Sequence, residues 1–295
     1  MLNINKFFIN VDIILINRKK RSYQIFKSLI AIVLAFIFGM PAIKAQNIPY
    51  HSDPKARITT PNPSLVPAIR FLTSNDFPPF NFSNEIGELS GFNIDLAKEI
   101  CLFLDIICTI QAWPWDQVTD ALNGNQGDAL IAGLAINEEN AKYFDFSDIY
   151  LMFPARFITL KDKIDDFEKT PLLEQVIAVR KNSNHEKFLL HYFPKLKTIS
   201  YENEIKALNA LLAGKSSAFF GDAMRISFWL NENPNCCTFA SNAYFNSNYF
   251  GQGLAIAFPA GRGEVRNAVN YALAQLKKNG KYDELYLRWF PISFY

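Results

Sequence analysis

Residues 93–104 read NIDLAKEICLFL and lie between IRFLT at 69–73 and CTIQA at 108–112. In the middle stretch Ile94, Ala97, Ile100, Cys101 and Leu104 recur at helical spacing, which predicts a helix over Asn93–Leu104 with one apolar face. The flanking runs are short and rich in Ile, Phe and Thr, and read as strands Ile69–Thr73 and Cys108–Ala112. Downstream, Asp116–Leu122 predicts a short helix stopped by Asn123-Gly124, and Ala129–Ala132 a further buried strand. Strand, helix, strand, helix, strand is the order of a parallel sheet with helices on its faces.

A second series repeats that grammar. Val176–Val179 and Ala218–Phe220 read as strands, the latter running into Gly221-Asp222. Asn184–His191 and Ile205–Leu212 read as helices, the second stopped by Gly214. Leu254–Phe258 is a further strand. Glu264–Lys278 is the clearest helix, with Val265, Ala268, Val269, Ala272, Leu273 and Leu276 on one stripe and Asn279-Gly280 behind it. Tyr282–Trp289 adds a last helical segment. The expected fold class is α/β. The paired prolines of Phe77-Pro78-Pro79-Phe80 require a turn or loop, because proline fixes φ and removes a donor.

Upstream of this frame the chain changes character. Arg18, Lys19, Lys20, Arg21 and Lys27 precede the uncharged run Leu29–Phe38, followed by Ala42-Ile43-Lys44-Ala45. A basic region, a short apolar core and a small residue at the cut predict a signal peptide over 1–45 and a periplasmic location. An uncleaved N-terminal anchor is the other reading, although the run is short for a membrane span. Residues 46–66, with Pro49, Pro54, Pro61 and Pro63, read as an extended leader onto the first strand.

The 295-residue chain is 49% apolar, too apolar for a disordered chain. It carries 30 Lys+Arg against 28 Asp+Glu, a formal +2. Seven of those bases and one acid lie in residues 1–45, which leaves 23 bases against 27 acids and a formal charge of −4 for the remainder. That balance offers nothing to nucleic acid. His51, His185 and His191 form no metal-ligand pattern, so neither a metal nor a cofactor is expected.

An oxidising destination changes the reading of the four cysteines. Cys101 and Cys108 either form a bridge closing a small loop or remain two buried thiols. A bridge there stabilises by about 2.5 kcal/mol on the chain-entropy estimate. Cys236 and Cys237 are neighbours, a spacing that strains any bridge. They read as two thiols in a surface loop or as a redox-sensitive pair.

Several fragments, in order and at their spacing, carry a resemblance. They are Phe77-Pro78-Pro79-Phe80, Gly91-Phe92-Asn93-Ile94-Asp95-Leu96-Ala97, Ile131-Ala132-Gly133-Leu134 and Asp145-Phe146-Ser147-Asp148-Ile149-Tyr150. Gly221-Asp222, Gly280-Lys281-Tyr282-Asp283 and Trp289-Phe290 follow. From about Ile69 to Phe290 the chain resembles the extracellular solute-binding proteins of the amino-acid type, family 3, that serve ABC importers. The resemblance implies a two-lobed periplasmic-binding-protein-like fold of type II, with ligand in the cleft. Lobe one would comprise 67–158 plus 254–295 and lobe two 159–253, with crossings near Ile158-Thr159 and Leu254. Cys101 and Cys108 match a disulfide found in some members.

The resemblance also implies ligand contacts at Ser74, Phe77, Trp115, Gly133, Ala135, Asn137, Asn140, Ser183, Asn184 and Asp222. In the family, aromatics at the Phe77 and Trp115 positions pack on the ligand side chain, and an acid at the Asp222 position pairs with its α-amino group. Phe80 reads rather as core. The family's Ser-x-Thr, followed three residues on by a carboxylate-clamping Arg, is here Ala135, Asn137 and Asn140. Asparagine brings no charge and no forked donor pair. Either the ligand lacks the usual α-carboxylate, or Lys181, Arg180 or Arg225 supplies the charge. Ser183 is a further donor, and Asn182 stands where the family tends to have Gly.

The function so implied is the substrate-binding component of an ABC importer, taking a small polar solute, an amino acid or related amine. Its partners would be that ligand and an inner-membrane permease, with the protein itself monomeric. A periplasmic sensor or accessory binding protein is the alternative, and a cyclohexadienyl-dehydratase-like enzyme on the same fold a further one. No catalytic residue is assigned.

Overall fold

Ala68–Thr73 runs as a strand between Ile107–Ala112 and Ala129–Leu130 and is parallel to both. It is buried along most of its length, as a central parallel strand must be. These features come from a computed structural model, which describes residues 60–295. The expected signal peptide 1–45 and most of the leader 46–66 lie outside the described residues. The described end of that leader is not fully extended, since Pro63–Leu65 makes a 3₁₀ turn.

The first sheet has the order Ile107–Ala112, Ala68–Thr73, Ala129–Leu130, Ala257–Pro259, Phe144–Phe146, the last two joining antiparallel. The second repeats the plan with Lys197–Tyr201, Val176–Arg180 and Ala218–Asp222 parallel, then Ala155–Leu160 and Cys237–Tyr244 antiparallel. A small three-stranded sheet, Asp76–Phe77, Asn81–Ser83 and Leu89–Ser90, hangs on the first. The two-lobed, type II periplasmic-binding-protein-like fold is what the chain adopts.

The helix foreseen at 93–104 spans Phe92–Leu104 and buries Ile94, Ala97, Ile100 and Cys101 together with Phe92 and Leu96. Each of the larger side chains, Phe92, Ile94, Leu96 and Ile100, contributes about 1.5–3 kcal/mol when taken fully out of water. It begins at Gly91, where φ is +133° and a Cβ would sit 2.1 Å from the Phe80 carbonyl oxygen. Only glycine has both that conformation and that clearance. Its far end is tied to the next strand by a Cys101–Cys108 disulfide. Helices Gly263–Lys278 and Lys281–Trp289 pack their apolar stripes into the same core. In the second lobe Asn184–Tyr192, Glu204–Leu212 and Ala223–Glu232 flank the sheet. Cys236 and Cys237 are free thiols, and burial pushes the Cys237 thiol well above its ordinary range.

The crossing differs from expectation. Ala155–Leu160 lies wholly in the second sheet, so the chain crosses before Ala155 and not at Ile158-Thr159. The resemblance implies a connector at Ile158 and Thr159. In the fold they are buried between Phe219 and the strand of Cys237–Tyr244. The outgoing and returning chains meet at an antiparallel bridge between Leu151 and Leu254. Tyr295 fastens this region. Its hydroxyl donates to the Met152 carbonyl at 2.9 Å and accepts from the Met152 N–H at 3.0 Å. Its own carbonyl accepts from Arg156 Nη1 at 2.8 Å.

Candidate functional site

Three parallel strands of the first sheet, Ala68–Thr73, Ile107–Ala112 and Ala129–Leu130, end on one edge. Ser74–Phe77, Trp113–Trp115 and Ile131–Asn137 follow directly from those ends. The carboxyl ends of parallel strands are where open α/β sheets receive ligands. Phe77 and Trp115 keep 37% and 47% of their surface exposed there, unlike the buried Phe80. Two large aromatics left in water on this edge offer faces for an aliphatic chain or a cation.

Gly133 sits beneath Phe77. Its φ is +78°, and a Cβ would meet the Phe77 ring at 3.0 Å. Ser74 is buried, and its hydroxyl oxygen accepts from Asn81 Nδ2 at 3.0 Å. Asn81 Oδ1 accepts in turn from Asn93 Nδ2 at 2.8 Å, and Asn93 Oδ1 from the Tyr150 hydroxyl at 2.7 Å. Ser74 thus heads a polar chain reaching into the core. Asn137 and Asn140 close their own loop. Asn137 Oδ1 accepts from the Asn140 N–H, and Asn140 Nδ2 donates to the Ala135 carbonyl, both at 2.8 Å.

The second sheet presents a matching edge. Val176–Arg180, Lys197–Tyr201 and Ala218–Asp222 are parallel and end together. Around those ends lies a cavity of about 620 Å³, walled by Arg180, Lys181, Ser183, Asn184, Glu202 and Asp222 among others. Asp222 caps the helix Ala223–Glu232 by accepting from the Arg225 N–H at 2.9 Å. Burial raises its pKa above the ordinary carboxylate range. A nearby cation would therefore be well rewarded for restoring the charged form. Arg225 turns its guanidinium to Glu204, with Nε 3.2 Å from the carboxylate. Glu202 is paired with Lys206.

Ser183 caps the helix Asn184–Tyr192. Its hydroxyl donates to the Arg180 carbonyl at 2.6 Å and accepts from the Glu186 N–H at 3.1 Å. Its donor is therefore engaged within the loop. Asn182 holds a φ of +59°, a left-handed conformation that asparagine tolerates better than most residues, and so substitutes for glycine in backbone shape.

The sequence reading missed His185, Tyr249 and Phe250, which complete the cavity wall. His185 stacks on Phe250 at 5.0 Å and meets Phe220 edge-on at 6.0 Å. Burial, with the positive charges of Arg180 and Arg225 nearby, pulls its pKa down to about 4, so the ring is neutral. Its place at the start of a helix directly after Ser183 was the available signal. Tyr249 and Phe250 carried none, because the short helix Ser247–Phe250 is brought to the cavity by packing on Asn184–Tyr192. The structure thus gathers Ser183, Asn184 and Asp222 on one wall. Ser74, Phe77, Trp115, Gly133, Ala135, Asn137 and Asn140 are not part of that wall and lie on the first lobe.

The model of bacterial extracellular solute-binding proteins, family 3, matches residues 69–292. The ABC transporter arginine-binding protein 1 of Escherichia coli K12 is 31% identical over 228 residues, covering 77% of this chain and 93% of that protein. The putative ABC transporter arginine-binding protein 2 of the same organism is 30% identical over 222 residues, 75% of this chain and 90% of that protein. Among solved structures, an ancestral cyclohexadienyl dehydratase is similar with a TM-score of 0.65. It is 24% identical over 77% of this chain and 93% of that one, a likeness of fold.

Proposed function

The chain belongs to the bacterial extracellular solute-binding proteins of family 3, and we propose that it is the solute receptor of an ABC importer, exported to the periplasm. It takes a small polar solute, an amino acid or a related amine derivative, between its lobes. The observation that carries this reading is the cavity at the carboxyl edge of the second sheet, where the half-buried carboxylate of Asp222, which makes no ion pair among the described residues, borders space for a ligand ammonium. Such a pair, formed away from water, both orients and holds a ligand. Phe77 and Trp115 supply the opposite, aromatic wall once the lobes close. Ser74, Gly133, Ala135, Asn137 and Asn140 line the first-lobe rim, and Ser183 and Asn184 the second. Closure about the Leu151–Leu254 bridge buries the solute and presents a changed shape to a permease. The two E. coli relatives are named for arginine, so basic amino acids head the panel of ligands.

The test is a thermal-shift and calorimetric screen on protein freed of carried-over ligand by unfolding and refolding. A ligand at a hundred times its Kd should stabilise by about 2.7 kcal/mol. A flat response to amino acids, amines, opines and small acids alike overturns the reading.

A further inference from the structure

We propose that the anionic end of the solute is held by Arg180 and Lys181, so that both charged ends of a zwitterion rest on the second lobe and only its side chain reaches the aromatic wall of the first. This rests on the reading of the chain as a solute receptor and adds the polarity with which the solute lies.

A carboxylate taken from water needs a cation or several free donors. The first-lobe rim positions offer no cation. Ser74, Gly133, Ala135, Asn137 and Asn140 carry no charge, and the Asn140 amide is engaged by Ala135. The charged residues inside that loop, Glu138 and Glu139, are acids. The second lobe has the opposite balance. Arg180 and Lys181 stand on the same cavity wall as Asp222, are exposed, and form no ion pair among the described residues. Arg225 is withdrawn by Glu204, and Glu202 is neutralised by Lys206.

What remains is one carboxylate and two cations on a shared wall, none of them in an ion pair among the described residues, the complement of an ammonium and a carboxylate on one small molecule. The backbone beneath the cations is pinned, with the Arg180 carbonyl held by Ser183 and the Lys181 N–H donating to the Tyr201 carbonyl at 2.7 Å. Their side chains are left to turn to the ligand. The neutral His185 ring beside them does not compete for it. The site therefore selects intact amino acids over their decarboxylated amines.

Refolded wild type, Arg180→Gln/Lys181→Gln and Arg225→Gln are titrated with the twenty L-amino acids and with the corresponding amines, agmatine and cadaverine among them. The tightest amino acid should bind the double variant at least about 30-fold more weakly, while Arg225→Gln stays within about threefold. The amine of that amino acid should bind wild type weakly and lose little further in the double variant. Arg180→Lys/Lys181→Arg should recover most of the affinity. A double variant within about threefold of wild type, or an amine as tight as its amino acid, overturns the inference and leaves the receptor reading standing. Wild type that binds nothing in this panel overturns the inference, and the receptor reading falls with it only if opines and small acids also give no response.

Discussion

The two edges that face the cleft are built alike and furnished differently. Each lies at the carboxyl ends of three parallel strands in the same spatial order, the second strand in sequence outermost and the first between it and the third. The first edge carries exposed aromatics, a glycine under Phe77, and a loop whose amides bond to one another. The second carries the charges: Arg180, Lys181, Asp222 and Glu202 around one cavity. On the proposed reading, shape recognition and charge recognition are divided between lobes, and closing the two edges on the solute would make binding both tight and selective.

The largest test of that division is Asp222→Ala. Removing a carboxylate from an ion pair that closure buries costs about 2–5 kcal/mol, so affinity should fall at least about 30-fold in calorimetry, against about 1 kcal/mol of stability for the lost helix cap. In wild type, lowering the pH through the raised Asp222 pKa should weaken binding of a cationic solute, because the carboxyl takes up its proton. Undiminished affinity in Asp222→Ala would mean that the second lobe does not hold the ammonium.

Next comes a stability effect on the same lobe. His185 has a folded pKa of about 4 against an ordinary 6.5. The unfolded chain therefore binds the proton more readily, and stability must rise with pH between those values. The contribution, roughly 3 kcal/mol at most, is fully present above pH 6.5 and lost as the pH falls towards 4. Urea unfolding across that window should show the slope, and His185→Gln should flatten it. An equal slope in the variant would assign the effect to other groups.

The smallest effect belongs to the first lobe. Trp115→Ala should weaken binding by about 1 kcal/mol, roughly fivefold, with unfolding unchanged because the ring is nearly half exposed. A loss as large as that of Asp222→Ala would erase the division between edges.

Much of the fold could be read locally. The helices Phe92–Leu104 and Gly263–Lys278 stand within one residue of the periodic stripes that announced them. Lys197–Tyr201 was missed because it is an edge strand with little buried surface, so its sequence shows no apolar alternation. Ala223–Glu232 was hidden directly behind Asp222, whose capping role is visible only once its side chain is seen accepting from Arg225. Within the site, Asp222 stood out because it follows a buried strand. His185, Tyr249 and Phe250 did not, because their neighbourhood is made by residues distant in the chain.

The sequence by itself determined the two α/β series, which depend on periods of two or 3.6 residues and are therefore local properties. The candidates Phe77, Trp115 and Asp222 and the missing cation at Asn140 are what the family resemblance implies for those positions. Only the tertiary structure decided which cations are available. Arg180, Lys181 and Arg225 look equivalent along the chain. Sheet pairing sets Ala178 beside Ile199 and Phe219, which brings the ends of three strands together. Helix packing gives Arg225 to Glu204 and leaves the other two facing the cavity. A charge acts through distance and burial, and both are fixed by the fold.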